Sequence, residues 1–208
     1  MKAEGASIGL GEYLRCWIAA AICWAAAWSF WVAWRTPLAY DEGAWIKLGV
    51  GLLVAEFIAI HSSTLIGELA AAGAAFRRFA WAALAGYALF ALAIPLAFDS
   101  IEIGLLMGAL MLSRLHDIFR PASGRERAYG RRRSLASAML FLTLAFATLF
   151  LPIGPGGITP ELLELVWPDR GDGVWEAEPQ RALVMGLLYF LLLGLVEVRP
   201  PSSEWDRD

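Results

Sequence analysis

Charge is scarce in this chain. Asp, Glu, Lys and Arg make up 18% of its 208 residues, where soluble domains carry about 25%. The small Lys and Arg total argues against nucleic acid as a partner. Cysteine is nearly absent, with only Cys16 and Cys23. Seven residues apart on a helix, they lie about 10 Å apart along the axis. A disulfide needs Cα atoms within about 7 Å, so both thiols are expected to be free. No Cys-x-x-Cys spacing offers a zinc site. The only histidines are His61 and His116. Catalytic signatures are missing too. There is no Gly-x-Ser-x-Gly elbow, no His-Glu-x-x-His and no phosphate-binding Gly-rich loop with Lys. No lysine sits in mid-membrane, since Lys47 falls near one end of its apolar segment. The chain does not read as an enzyme.

Apolar residues are what it has: 59% of the sequence, against 45–50% in soluble domains. A soluble fold of this size would leave much of that surface in water, so a lipid bilayer is the expected solvent and first partner. A spanning helix needs about 20 mostly apolar residues. Six segments qualify, at about 16–34, 44–66, 79–98, 101–119, 135–153 and 182–198. The expected fold is an all-α, polytopic transmembrane bundle. It forms a single membrane domain over 1–198, followed by a polar tail over 199–208. The first segment is a span rather than a cleaved signal: its apolar run is long and no small-x-small cleavage site ends it.

Basic residues set the direction. Of the 17 Lys and Arg residues, Arg35, Lys47, Arg170 and Arg181 fall on one side of such a bundle and all the others on the opposite side. The richer side is expected to be cytoplasmic and holds both termini. Arg125, Arg127, Arg131, Arg132 and Arg133 dominate it, as a topology signal that can also meet anionic lipid. The other side carries a long acidic loop, 152–180. Within it Thr159-Pro160-Glu161 predicts a helix start, with Thr as N-cap and Pro at the first helical position. The following Leu162, Leu163, Leu165, Val166 and Trp167 predict a short helix on the membrane surface. In the first span Trp17, Trp24, Trp28 and Trp31 share a helical face. Packing against a neighbouring helix or lipid is their expected use.

The candidate polar centre is Glu56 with His61, Ser62 and Ser63. Glu56 lies twelve residues into the second span, near mid-bilayer, where a carboxylate is costly and usually faces the bundle interior. It reads as a proton or cation site, or as an acid bonded to a neighbouring helix. His61 is five residues on, about 140° round the helix, so the two do not share a face. The hydroxyls of Ser62 and Ser63 can also bond their own helix backbone. A second cluster, Arg114, His116, Asp117 and Arg120, ends the fourth span. Asp117 can pair with either arginine on the same face. His61 and His116 lie at matched depth on parallel spans, which permits axial ligation of a b-type haem. No other metal or cofactor site is expected. Gly104 and Gly108 form a Gly-x-x-x-Gly, an intramolecular contact or a face for self-association or another membrane subunit.

Three stretches resemble an uncharacterised bacterial multi-pass membrane family, a domain-of-unknown-function group. They are Leu52-Leu53-Val54-Ala55-Glu56, then Leu112-Ser113-Arg114-Leu115-His116-Asp117-Ile118-Phe119 with Gly124-Arg125-Glu126-Arg127-Ala128-Tyr129, and the final span after a Gly-rich loop. In that family a Ser-His pair and an aromatic-Asn precede a Gly-Arg-Gly-Glu-Tyr-like loop; here the His is displaced and the Asn is missing. The resemblance implies a bacterial inner-membrane protein and no activity. Three functions remain open. One is transport or sensing of a small solute, ion or proton around Glu56. Another is a structural or accessory subunit of a membrane complex. The third is a haem-binding redox subunit.

Overall fold

The computed structural model describes residues 10–39, 41–71 and 124–198, with scattered positions from 79 to 101; side chains at 12, 15, 41, 59, 61–71 and 124–131 are not described. The fourth expected span, the Arg114–Arg120 cluster and Gly104/Gly108 lie outside the described residues. So does the tail, and most of the third span does as well.

Four long helices carry the described structure: α1 (Leu10–Arg35), α2 (Ala44–Ala71), α3 (Gly124–Phe150) and α6 (Pro179–Glu197). Two short ones, α4 (Pro160–Val166) and α5 (Val174–Ala177), lie between α3 and α6. No strand occurs among the described residues. Among the described residues, three stretches are long and apolar enough to cross a membrane: Cys16–Arg35, Arg132–Phe150 and Pro179–Glu197, with mean hydropathies of 1.6, 1.6 and 1.7. α2 is 28 residues long, about 42 Å at 1.5 Å per residue. α1 begins at Leu10, six residues before the apolar run, because Glu12 and Arg15 interrupt hydropathy without disfavouring helix.

α6 stands at the centre and packs on α1, α2 and α3. Against α1 the seam is built from glycine notches and aromatic knobs. A Cβ on Gly194 would collide with the Trp24 indole, and one on Gly186 with the Phe30 ring. Trp24 Nε1 also donates to the Leu191 carbonyl at 3.3 Å. Between helices in lipid, close van der Waals packing replaces the hydrophobic effect as the cohesive force, and small residues permit it. The pairings 24 with 194 and 30 with 186 make α1 and α6 antiparallel. Gly49 of α2 lies against Leu183, so α2 runs parallel to α6. The core between them holds Phe30, Ile46, Leu53, Phe141, Leu183 and Met185, all buried.

One end of the bundle is closed by the α1–α2 turn and the segment 151–178. Trp34 Nε1 donates to the Gly154 carbonyl at 3.1 Å, and the Gly157 N–H returns to the Trp34 carbonyl at 2.8 Å. That second bond satisfies a carbonyl that the end of α1 leaves open. Gly156 (φ +67°) and Gly43 (φ +94°) take backbone conformations that favour glycine; Gly43 also lets the turn meet Val166 of α4. α4 starts as the sequence predicts: Thr159 is its N-cap and accepts from the Leu162 N–H, with Pro at the first position. Its Leu163 is buried while Leu165 is 75% exposed.

Arg181 ties this end together. Its Nη1 donates to the carbonyls of Thr148, Leu149 and Leu151 at 2.7–3.2 Å, and its Nε pairs with Glu178. It therefore caps the C-terminus of α3 from the first turn of α6, where the helix dipole favours a cation.

Candidate functional site

α2 delivers Glu56 about 18 Å below its Ala44 end, and α6 delivers Tyr189 about 15 Å below Pro179, at 1.5 Å per residue. Because these helices run parallel, similar offsets bring the two side chains together in mid-bundle. The Tyr189 hydroxyl donates to Glu56 Oε1 at 2.9 Å. Tyr189 is fully buried and Glu56 partly so. Among the described residues, the side chains packed on Tyr189 from α3 and α6 are aromatic. An unmade hydrogen bond there would cost more than in water.

Aromatic rings fix the tyrosine. Phe141 of α3 meets Tyr189 edge-on at 5.4 Å, and Phe190 does so at 5.0 Å. Phe57, next to Glu56, reaches Phe141 at 5.6 Å. Edge-to-face contacts of this kind set ring orientation beyond what area burial supplies, so the hydroxyl is aimed at the carboxyl by its neighbours on three helices.

Cys23 of α1 is a free thiol, as is Cys16. Arg133 of α3 pairs with Glu197 at the far end of α6, where the Glu197 side chain is only 10% exposed. The Arg133–Glu197 pair lies about 12 Å beyond Tyr189 along α6, on the side away from the loops. Toward the loop end, Phe30, Ile46, Val50, Leu53 and Leu183 form a buried apolar plug. The site is thus closed by apolar side chains on the loop side.

Of the expected polar centre, Glu56 therefore has a defined setting. His61, Ser62 and Ser63 lie on the continuous backbone of α2, with side chains outside the described set. Arg114, His116, Asp117 and Arg120 are outside the described residues, and with them the proposed haem pair. Sequence reasoning passed over Tyr189 and Glu197, and read Arg133 only as part of the basic run that sets topology. The available signal was a lone hydroxyl in the apolar run Leu187-Leu188-Tyr189-Phe190-Leu191, at the depth of Glu56 on a parallel helix.

The tryptophans of α1 divide. Trp24 is half-buried against α6, whereas Trp28 is 60% exposed and stacks on Trp31 at 4.9 Å. Trp17 meets Trp24 edge-on at 6.2 Å.

No protein-family model matches the chain, no curated protein matches it, and no solved structure matches it. No residue role is carried over from a relative.

Proposed function

We propose that the protein is a polytopic membrane protein that binds and passes a proton or small cation at Glu56. The observation that carries this reading is the buried Tyr189 hydroxyl donating to Glu56 Oε1 at 2.9 Å, at mid-bundle depth. Intramembrane carboxyls with named partners are functional candidates by default, since their cost is otherwise unexplained. A phenol can donate to an ionised carboxylate and can also accept from a protonated one. Glu56 therefore has a partner in either state, as a site that loads and releases a proton requires. The loop side is closed by buried apolar side chains, so the side toward Arg133 and Glu197 is the one from which it exchanges.

The wider setting is a bundle of about six spans in a bacterial inner membrane, with both ends cytoplasmic. The excess of arginine at that end supports this orientation. The loop end, which carries α4, is then the outer face.

Proton flux into proteoliposomes tests the reading. Wild type conducts and Glu56→Gln loses at least tenfold of the flux. No flux in wild type, or equal flux in the variant, contradicts it. A second reading, an accessory subunit that docks a partner on α1, is favoured by the exposed Trp28–Trp31 stack. Stoichiometric co-purification of another membrane subunit, lost in Trp28→Ala, would support that reading instead.

A further inference from the structure

A second feature lies on the opposite face of α2 from Glu56. A groove of about 350 Å³, open along one side, runs between α2 and α3. Val50 and Val54 form one wall and Ala145 and Leu149 the other, while Trp175 and Glu176 close its loop end. The size falls at the lower end of the range for ligand sites. The walls belong to helices at membrane depth, so the occupant of that part is apolar.

The mouth is charged with both signs. Glu176 is held over the Gly171–Gly173 stretch, where a Cβ on either glycine would meet its carboxylate. It makes no ion pair among the described residues. Lys47 stands one turn nearer the loop end than Val50 and within about 20° of Val54 around the helix axis, so it tops the valine wall. It too makes no ion pair among the described residues. The neighbouring cations are occupied: Arg170 pairs with Glu164, and Arg181 pairs with Glu178 while capping α3. Glu176, the one carboxylate lining the groove, and Lys47, above its valine wall, are thus left without ion pairs among the described residues.

We propose that this groove binds a zwitterionic phospholipid with a primary ammonium headgroup. One acyl chain lies between α2 and α3, the phosphate meets Lys47, and the ammonium meets Glu176. A purely anionic lipid would satisfy Lys47 and face Glu176 with like charge; a purely cationic amphiphile would do the reverse. The opposed pair selects a headgroup carrying both charges, as paired charges select partners elsewhere. This inference rests on the membrane-length helices and is independent of the Glu56 reading.

Native mass spectrometry of the full chain in mild detergent tests it. The probes are ethanolamine and glycerol phospholipids of identical acyl chains, and the matching diacylglycerol. Wild type should retain the ethanolamine lipid over the glycerol lipid by about threefold to fivefold, the range of a partly exposed ion pair. Glu176→Gln should bring that ratio to one. Lys47→Gln should weaken both phospholipids relative to diacylglycerol. Val54→Trp, or independently Ala145→Trp, should exclude all three while the midpoint of denaturant unfolding in detergent stays at the wild-type value. A wild-type ratio near one, an unchanged ratio in Glu176→Gln, or equal retention of diacylglycerol would each overturn the proposal.

Discussion

α3 and α6 are nearly indistinguishable by hydropathy, at 1.6 and 1.7, yet half of α6's apolar window is buried in the protein against 11% of α3's. Both prefer lipid to water. What separates them is who their neighbours are. α6 carries Gly186 and Gly194, which admit Phe30 and Trp24, and it places Tyr189 against Glu56. α3 offers Phe141 and Thr148 to the interior and turns Phe146 and Leu142 outward. In lipid, a helix gains its place in the bundle through small residues and polar contacts rather than through apolar area. The helix that is central to the fold is the one that also touches the candidate site.

The largest expected effect breaks that difference directly. Gly186→Leu should drive α1 away from α6 and lower stability by about 3 kcal/mol, at the upper end for overpacking a close contact. Ala136→Leu, a comparable enlargement on the exposed face of α3, should stay within about 0.5 kcal/mol. The midpoint of denaturant unfolding in detergent reads both. Equal losses would mean that α6 holds no privileged place.

A smaller effect concerns how α3 is anchored despite its slight burial. Arg181→Met removes the guanidinium from the Thr148, Leu149 and Leu151 carbonyls and should cost about 1–2 kcal/mol, as for a partly buried cation at a helix C-terminus. Amide exchange in the last turn of α3 should rise, with α1 unchanged. Uniform acceleration across the bundle would contradict a local cap.

The smallest effect lies in the segment joining the two helices. The Glu161 carboxyl is held below the usual carboxylate range, first by its own backbone N–H and then by the Thr159 hydroxyl. Its folded-state value lies below its unfolded one. Its contribution to α4 is therefore present above the ordinary carboxylate pKa and lost as pH falls through the lowered folded value. Amide protection at Leu162 and Leu163, corrected for intrinsic rate, should decline on acidification. Glu161→Gln should flatten that response; a pH dependence that survives the change would assign it elsewhere.

Much of this was legible in the sequence. The apolar runs mark six segments, and three of them coincide with membrane-length apolar helices among the described residues; the Thr159-Pro160 start of α4 follows from cap chemistry. Glu56 stands out because a carboxylate in an apolar run needs a reason. Less legible were features that depend on adjacency. Trp24 and Trp28 share a heptad face, yet one fills a notch on α6 and the other is exposed, and nothing in α1 alone distinguishes them. Gly186 and Gly194 are eight apart, outside the Gly-x-x-x-Gly spacing, so their role emerges only when Phe30 and Trp24 are opposite. Arg181 read as one of the few basic residues of the loop side, and its grip on α3 required knowing that α3 ends beside the start of α6. Hydropathy reports a segment's solvent; it does not report its partner.

The central claim is that Glu56 exchanges a proton while bonded to Tyr189. Infrared difference spectroscopy of the reconstituted protein across a pH step observes that carboxyl itself. The account predicts a carbonyl band of a protonated carboxyl that gains and loses intensity with pH, shifts to higher frequency in Tyr189→Phe, and vanishes in Glu56→Gln. A difference spectrum unchanged by Glu56→Gln would contradict it.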